Sequence, residues 1–279
     1  MRANKFTDAL QRCAELIDGR SVAVLSGAGM STASGIPDYR GEDGALRRRA
    51  PIQYREFVGE ESARRRYWAR SSVGWAWLKK RDPNDAHRAV ARLEEAGRVS
   101  AVVTQNVDGL HQAAGSREVI DLHGRLSRVV CMDCAAIEMR DELQQRMLAS
   151  NPGWDRLVAE MAPDGDAELA EETIAGFRVP ACRRCGGILK PDVIFFGENV
   201  PASRVSRALE LVLGADVLLV LGSSLTVFSG YRFVLAAAER EVPVAIVNRG
   251  ATRGDKLATV TVNDRVESFL PRLVRTIDR

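Results

Sequence analysis

Four of the five cysteines fall in two pairs of identical spacing, Cys131-x-x-Cys134 and Cys182-x-x-Cys185. Each pair can hold two thiolates in one knuckle turn, and two pairs complete a tetrahedron around a single ion. Four sulfur ligands leave no open coordination position, so this set predicts a structural zinc that performs no chemistry. Gly186 and Gly187 suit the backbone turn beneath a sulfur. A redox role fits less well, because neither pair opens a helix after a strand in a thioredoxin-like pattern. Cys13, the fifth, recurs with Leu10, Ala14 and Ile17 at helical spacing and is expected to be a small buried apolar residue. An odd count in paired spacing argues against a disulfide framework.

Proton chemistry near neutral pH suits histidine, and the chain has three: His87, His111 and His123. His123 follows the apolar Val119-Ile120 and precedes Gly124, at the end of a strand or in a turn. His111 is expected on a helix after Gln105-Asn106-Val107-Asp108, in a structural role. His87 is expected on a helix surface or as a cap. A neutral amide such as Asn106 can hold a hydroxyl or a water without adding charge, and Asp108 can accept from an amide NH2. Both residue types also cap helices, and spacing alone does not choose. Gly27-Ala28-Gly29-Met30-Ser31 would present backbone N–H groups to a pyrophosphate between a strand and an expected helix. It departs from the Gly-x-Gly-x-x-Gly fingerprint. The third small residue, Ala33, comes one position late, and no acidic residue ends a second strand about 20 residues on. An ordinary dehydrogenase is disfavoured; a dinucleotide is not.

These residues need a frame. Ser21 to Leu25, Val99 to Thr104, Asp216 to Leu221 and Val242 to Val247 are short apolar, β-branched runs. Each ends in Gly, Ser, Asn or Gln, and helical patterns at Ala86 to Ala96 and Tyr231 to Arg240 lie between them. Strand, polar loop, helix, strand predicts an α/β fold: a Rossmann-like parallel sheet with helices on both faces. Ligands bind such sheets outside the carboxyl ends of the strands, so these loops should line one crevice. Two stretches break the alternation, and they predict a smaller zinc-binding and helical domain formed by insertions. The expected boundaries are 1–40, 86–128 and 188–279 for the discontinuous large domain, 41–85 for a helical insertion and 129–187 for the zinc insertion.

A 279-residue chain with 46% hydrophobic residues and net charge +3 fits this plan. The small charge does not predict a nucleic-acid binder, and Arg64-Arg65-Arg66 reads as a solvated face. No apolar run approaches the ~20 residues of a membrane span, and no signal-peptide core is seen. The chain is expected to be soluble and cytoplasmic.

The stretch Gly27-Ala28-Gly29-x-Ser31-Thr32-x-Ser34-Gly35-Ile36-Pro37-Asp38-Tyr39-Arg40 resembles the NAD-binding signature of the sirtuins. Thr104-Gln105-Asn106-Val107-Asp108-Gly109-Leu110-His111, Leu122-His123-Gly124, the two cysteine pairs, Lys190 to Glu198, Gly222-Ser223-Ser224-Leu225 and Asn248-Arg249-Gly250 then match the family's further blocks in its order. The resemblance spans nearly the whole chain. It implies an NAD-dependent protein-lysine deacylase. In the family reaction the acyl oxygen attacks C1′ of the nicotinamide ribose, a ribose hydroxyl deprotonated by a base attacks the resulting imidate, and water completes the reaction. The products are nicotinamide, O-acyl-ADP-ribose and free lysine.

The resemblance assigns His123 as base, with Asn106 and Asp108 handling ribose hydroxyl, water and nicotinamide carboxamide. Gly27, Ala28, Gly29, Ser31, Thr32, Pro37, Asp38, Tyr39, Arg40, Gln105, Val107, Gly222, Ser223, Ser224, Asn248, Arg249 and Gly250 become cofactor contacts, with Val266 through its main chain. Val193, Ile194, Phe195, Phe196, Gly197 and Glu198, facing Ser229 and Gly230, would bind an extended acyl-lysine peptide by strand addition. The class II branch is the most similar, on Pro37 to Arg40, Tyr67 to Arg70 with Val73-Gly74-Trp75, and Phe228 to Phe233. It implies acidic or longer acyl groups, or mono-ADP-ribosyl transfer in the same pocket as an alternative. Tyr67-x-x-Arg70 resembles a pair that reads an acyl carboxylate, since i and i+3 share a helix face; a solvated Arg beside a packed Tyr is the other reading. Acyl-lysine proteins are the implied partners, with no nucleic acid and no membrane. A silent NAD-responsive binding module would be expected to lack His123 or Asn106, and both are present.

Overall fold

The computed structural model describes residues 2–38, 52–157, 159, 167 and 169–278. Among these, nine strands occur in chain order: β1 (Val22–Ser26), β2 (Val99–Thr104), β3 (Val119–Asp121), β4 (Gly124–Cys131), β5 (Ile137–Met139), β6 (Leu189–Val193), β7 (Val217–Leu221), β8 (Val244–Val247) and β9 (Val260–Val262). Ten α-helices accompany them: α1 (Arg2–Ile17), α2 (Tyr54–Gly59), α3 (Glu61–Leu78), α4 (Asp85–Glu95), α5 (Leu110–Ala113), α6 (Arg140–Ser150), α7 (Glu171–Ala175), α8 (Ala202–Leu213), α9 (Phe228–Glu239) and α10 (Val266–Ile277).

Six strands form one sheet in the order β3-β2-β1-β7-β8-β9, every pair parallel. The strands read as continuous apolar runs because both faces are covered. Along β1, Val22 and Val24 join the core that includes α1, α4 and α10, while Ala23 and Leu25 join the core under α8 and α9. β7 divides in the same way, with Val217, Leu219 and Leu221 on the first face and Leu218 and Val220 on the second. Helix α10 buries Val266, Phe269, Leu270, Leu273 and Val274, one stripe at helical period. Each such large apolar side chain contributes roughly 1.5–3 kcal/mol by leaving water. Cys13 is fully buried in that core, as its helical company implied.

A second, antiparallel sheet has the order β5-β4-β6, and β6 with most of β4 lies outside the 41–85 and 129–187 bounds expected for the insertions. Its core includes Phe57, Tyr67, Trp68, Leu143, Met147 and Leu189. Trp68 is fully buried, and its indole N–H donates to the Leu189 carbonyl at 3.1 Å. Arg140, also buried, stacks over Trp68 and Trp75 and donates to the Ser71 carbonyl and to Gln144 Oε1, joining α3 to α6. Among the described residues no helix is long and apolar enough to cross a membrane.

One local expectation fails. The glycine turn after β1 leads not into a helix but into two 3-10 turns, Ala28–Met30 and Thr32–Ser34. Gly29, Ser31, Thr32 and Ser34 are poor helix formers, Gly35 takes a left-handed φ of 82° and Pro37 follows, so an α-helix has nowhere to propagate.

Candidate active site

Parallel strands put all their carboxyl ends on one side, and main-chain bonds stitch the loops there together. Gly27 N–H donates to Leu221 O at 3.0 Å, Gly29 N–H to Gly222 O at 2.8 Å, Gln105 N–H to Ser26 O at 2.9 Å and Gly222 N–H to Val247 O at 2.9 Å. This explains the glycines. A Cβ on Gly29 would lie 2.9 Å from Gly222 Cα, and one on Gly222, whose φ is 59°, would lie 2.5 Å from the Met30 nitrogen. The two turns must pack backbone to backbone.

His123 lies two residues past β3, and Gly124 fixes the chain behind it. There φ is 84°, and any Cβ would lie 2.0 Å from the Asp192 carbonyl oxygen. His123 Nδ1 lies 2.9 Å from the Gln105 carbonyl oxygen and Nε2 lies 2.8 Å from Ser229 Oγ. A carbonyl only accepts, so Nδ1 carries the ring proton and Nε2 presents its lone pair, to which the Ser229 hydroxyl donates. Burial lowers the imidazole below its ordinary pKa; the Gln105 carbonyl opposes this and Arg204 adds to it. The ring is therefore neutral at pH 7 and its basic nitrogen is Nε2.

Beside it, Ser31, Asn106 and Asp108 form one hydrogen-bonded group. Ser31 Oγ donates to Asp108 Oδ2 at 2.7 Å, and Asn106 Nδ2 donates to Gly27 O at 3.0 Å and Ser31 Oγ at 3.1 Å. Asp108 Oδ1 also receives the Leu110 N–H at 2.9 Å, although the N-cap of α5 is Gly109. Burial pushes its carboxyl above the usual range, against the pull of the Leu110 and Ser31 donors. Gln105 donates from Nε2 to Ser223 Oγ at 2.9 Å and Ser26 O at 3.3 Å.

At the small sheet, the Sγ atoms of Cys131, Cys134, Cys182 and Cys185 all lie within 4.8 Å of one another. Cys131 and Cys185 are 3.5 Å apart, Cys134 and Cys182 3.8 Å. A tetrahedron with Zn–S bonds of about 2.3 Å has edges near 3.8 Å, so the donors fit zinc. Both knuckles share one geometry: the residue after each second cysteine is left-handed, Ala135 at φ 56° and Gly186 at φ 77°. The main-chain N–H groups of Cys185 and Arg184 lower the Cys182 thiol, favouring the thiolate.

A family-wide sequence model, that of the Sir2 family, matches residues 27–229. The chain belongs to the Sir2 family. This sirtuin is 55% identical over 256 residues to NAD-dependent protein deacetylase 1 of Streptomyces coelicolor, spanning 92% of this chain and 86% of that protein. It is 54% identical over 251 residues to NAD-dependent protein deacetylase 2 of Bradyrhizobium diazoefficiens, spanning 90% and 92%. Among solved structures it resembles a Sir2 complex with a p53 peptide and NAD+ (TM-score 0.75, 30% identity, 99% and 98% of the chains). It also resembles a Sir2 protein bound to acetylated peptide (TM-score 0.74, 29% identity, 99% and 98%).

Several residues singled out from the sequence converge in this sirtuin: Gly27, Gly29, Ser31, Gln105, Asn106, Asp108, His123, Gly222 and Ser223 share the bonds and close approaches just described. Thr32 is exposed, its hydroxyl on the Gly29 carbonyl, and Pro37 and Asp38 are half-buried. Tyr39 and Arg40 lie outside the described residues. Ser224 Oγ pairs with Thr226 Oγ1 at 3.0 Å. Asn248 Nδ2 donates to the carbonyls of Arg249 and Gly250, shaping the loop after β8, and Arg249 is exposed. Val266 opens α10, so its N–H has no acceptor within the helix.

Other residues sit differently from their sequence reading. Val193 is the last residue of β6 and is buried, with Gly124 as its register partner. Beyond it Phe196 forms an isolated parallel bridge with Gln53, and Gly197, at φ 80°, turns the chain. Ile194 N–H bonds to the His123 carbonyl, Phe195 N–H to Glu198 Oε2, Glu198 N–H to Phe195 O, and Phe196 O accepts from Tyr54 N–H. Tyr67 is a buried ring packed edge-on by Phe57, Trp68 and Phe195, and Arg70 Nε donates to the Ala167 carbonyl at 2.8 Å. Tyr67 is packed, as the second reading of this pair has it, while Arg70 is half-buried and not solvated. His87 does serve the cap of α4, receiving the Asn84 N–H at Nδ1, but it is fully buried rather than on the surface. His111 is structural as expected, buried with Nε2 2.8 Å from Ser26 Oγ. Ser229 is legible in the sequence as a substrate-side residue, but its bond to His123, made across 106 positions, has no local signal.

Proposed function

We propose that the chain is an NAD-dependent protein-lysine deacetylase with His123 as general base. The observation that carries this is the fixed ring: the Gln105 carbonyl claims Nδ1, leaving Nε2 as a neutral base beside Ser31, Asn106 and Asp108. The names of the relatives and the ligands of the solved neighbours support it, being NAD-dependent deacetylases and Sir2 complexes with NAD+ and acetylated peptide.

In this reading NAD is a co-substrate, supplying a nicotinamide leaving group and a ribose that accepts the acyl group. Gly27 to Thr32 and Ser223-Ser224 line the path of its phosphates, Asn248 to Gly250 and the Val266 N–H the adenosine end. Ser31, Asn106 and Asp108 orient the carboxamide and ribose, and Nε2 of His123 collects the proton that a ribose hydroxyl must lose. Zinc, held by the four thiolates, supports the small sheet and stays out of the reaction.

The peptide would enter between two exposed apolar edges flanking His123. Phe196 is 40% exposed on one, and Val227 and Phe228 are 43% and 54% exposed on the other. Strand addition would use backbone groups of Gly197 and Glu198. A small acyl group fits best, since packing occupies the face of Tyr67 and Arg70 already serves Ala167. A carboxylate-bearing acyl group would have to take Arg70 from Ala167. Mass spectrometry of acetyl-, succinyl-, glutaryl-, lipoyl- and long-chain-acyl-lysine peptides with NAD tests this. Acetyl removal outpacing the others is expected. Faster desuccinylation, abolished by Arg70→Met, would replace it with the acidic reading, and NAD cleavage with ADP-ribose gained by a protein would replace deacetylation with transfer.

A further inference from the structure

An imidazole nitrogen has one in-plane lone pair, and at His123 Nε2 it is taken. Ser229 Oγ lies 2.8 Å away, while Nδ1 is held by the Gln105 carbonyl. A co-substrate hydroxyl therefore cannot reach the base without displacing Ser229 or passing its proton through it. The surroundings hold Ser229 in place. It is the second residue of α9, and the next residue, Gly230, packs so closely on Gln105 that a Cβ there would lie 2.3 Å from Oε1. Gln105 is itself anchored to Ser26 and Ser223. One residue thus fixes both the imidazole, through its carbonyl, and the helix turn that carries the serine, through its side chain. Ser229 is half-buried, on the border between the ring and the open crevice.

We propose that Ser229 is a catalytic proton relay of this site, standing between the co-substrate ribose hydroxyl and His123 Nε2. The step rests on the deacetylase reading given above. The ribose O–H bond breaks as its proton moves to Ser229 Oγ. In concert the Ser229 O–H bond breaks and that proton forms the Nε2–H bond. The ribose oxygen is left with the electron pair for its attack, and the ring becomes imidazolium. Ser229 begins and ends as a neutral hydroxyl. A hydroxyl suits this exchange because it donates to a neutral imidazole and accepts from an imidazolium without moving.

The test compares Ser229→Ala, His123→Ala and the double variant in two assays, using NAD and an acetyl-lysine peptide. Exchange of labelled nicotinamide into NAD reports steps before the base is needed, and lysine formation reports the base-dependent step. Ser229→Ala should lower lysine formation by about 100-fold or more, the scale of a lost proton transfer, with exchange kept within about threefold. Adding it to His123→Ala should cause no further loss, because the two groups act as a unit. Wild-type lysine formation in Ser229→Ala would overturn the relay, as would exchange and lysine formation falling together, or an additive loss in the double variant. An inactive wild-type protein would instead refute the deacetylase reading itself.

Discussion

Acidifying the protein from pH 7 to pH 5 should destabilise it through two histidines that take no part in catalysis. His87 and His111 are buried to 0% and 1% exposure, with ring centroids 5.0 Å apart. Burial lowers His87 to about 4, with Arg88 contributing. Burial lowers His111 to about 3, with His87 contributing. In the unfolded chain both titrate near 6.5. The unfolded state therefore takes up protons first as pH falls. The stability of the neutral pair is fully present above pH 6.5 and is lost progressively below it, down to the folded values. Each pH unit in that window costs about 1.4 kcal/mol per histidine. At pH 5 that is about 2 kcal/mol each and about 4 kcal/mol for the pair, a large part of a typical stability of about 5–15 kcal/mol. Asp108, raised by burial, acts with the opposite sign, and zinc ligands also protonate in acid, so a single pH curve does not isolate the pair. The assay is urea unfolding at pH 7, 6 and 5 with excess zinc, for the wild type and His111→Gln. The variant should be less stable at pH 7 yet lose about 2 kcal/mol less on going to pH 5. Parallel pH curves for the two proteins would show that protonation of His111 does not drive the loss.

Chelation of zinc, or Cys131→Ser, should lower the melting temperature and expose tryptophan near Trp68 and Trp75, read by fluorescence; the reaction should fall only in proportion to folded protein. Gly230→Ala should push Gln105 and with it the His123 ring, reducing lysine formation at least tenfold by the sensitivity of catalysis to small displacements, while circular dichroism stays unchanged. A peptide N-methylated on the residues flanking acetyl-lysine should bind at least tenfold more weakly by calorimetry, since it cannot complete a strand; equal binding would argue against strand addition.

Much of the fold was legible because its strands are buried on both faces. Val99–Thr104 is a strand at the bounds its apolar run gave, the Val217 strand loses only Asp216 from its run, and the Val244 strand starts two residues late, after Val242 and Pro243. The cysteine tetrahedron was legible because thiolate geometry constrains spacing. The His123 group was legible through family motifs, each carried by one contiguous loop. What escaped depends on loops distant in sequence. Burial of His87 needs α5 laid against α4, and no local pattern states that. The close backbone packing of the Gly29 turn on Gly222, a residue from the far half of the chain, has no local signature. The Ser229 bond exists only because β3 and the start of α9 end beside each other. Arg70 looked solvated on its helix because its acceptor, Ala167, comes from another insertion.

Product stoichiometry tests His123 as the base of an NAD-dependent deacetylation: wild-type protein and His123→Ala are incubated with NAD and an acetyl-lysine peptide, and all products are counted by mass spectrometry. One nicotinamide, one O-acetyl-ADP-ribose and one free lysine per NAD consumed are expected from the wild type, with at least a 100-fold loss of lysine formation in the variant. Acetyl loss without NAD, acetate as the acyl product, or an unimpaired His123→Ala would contradict it.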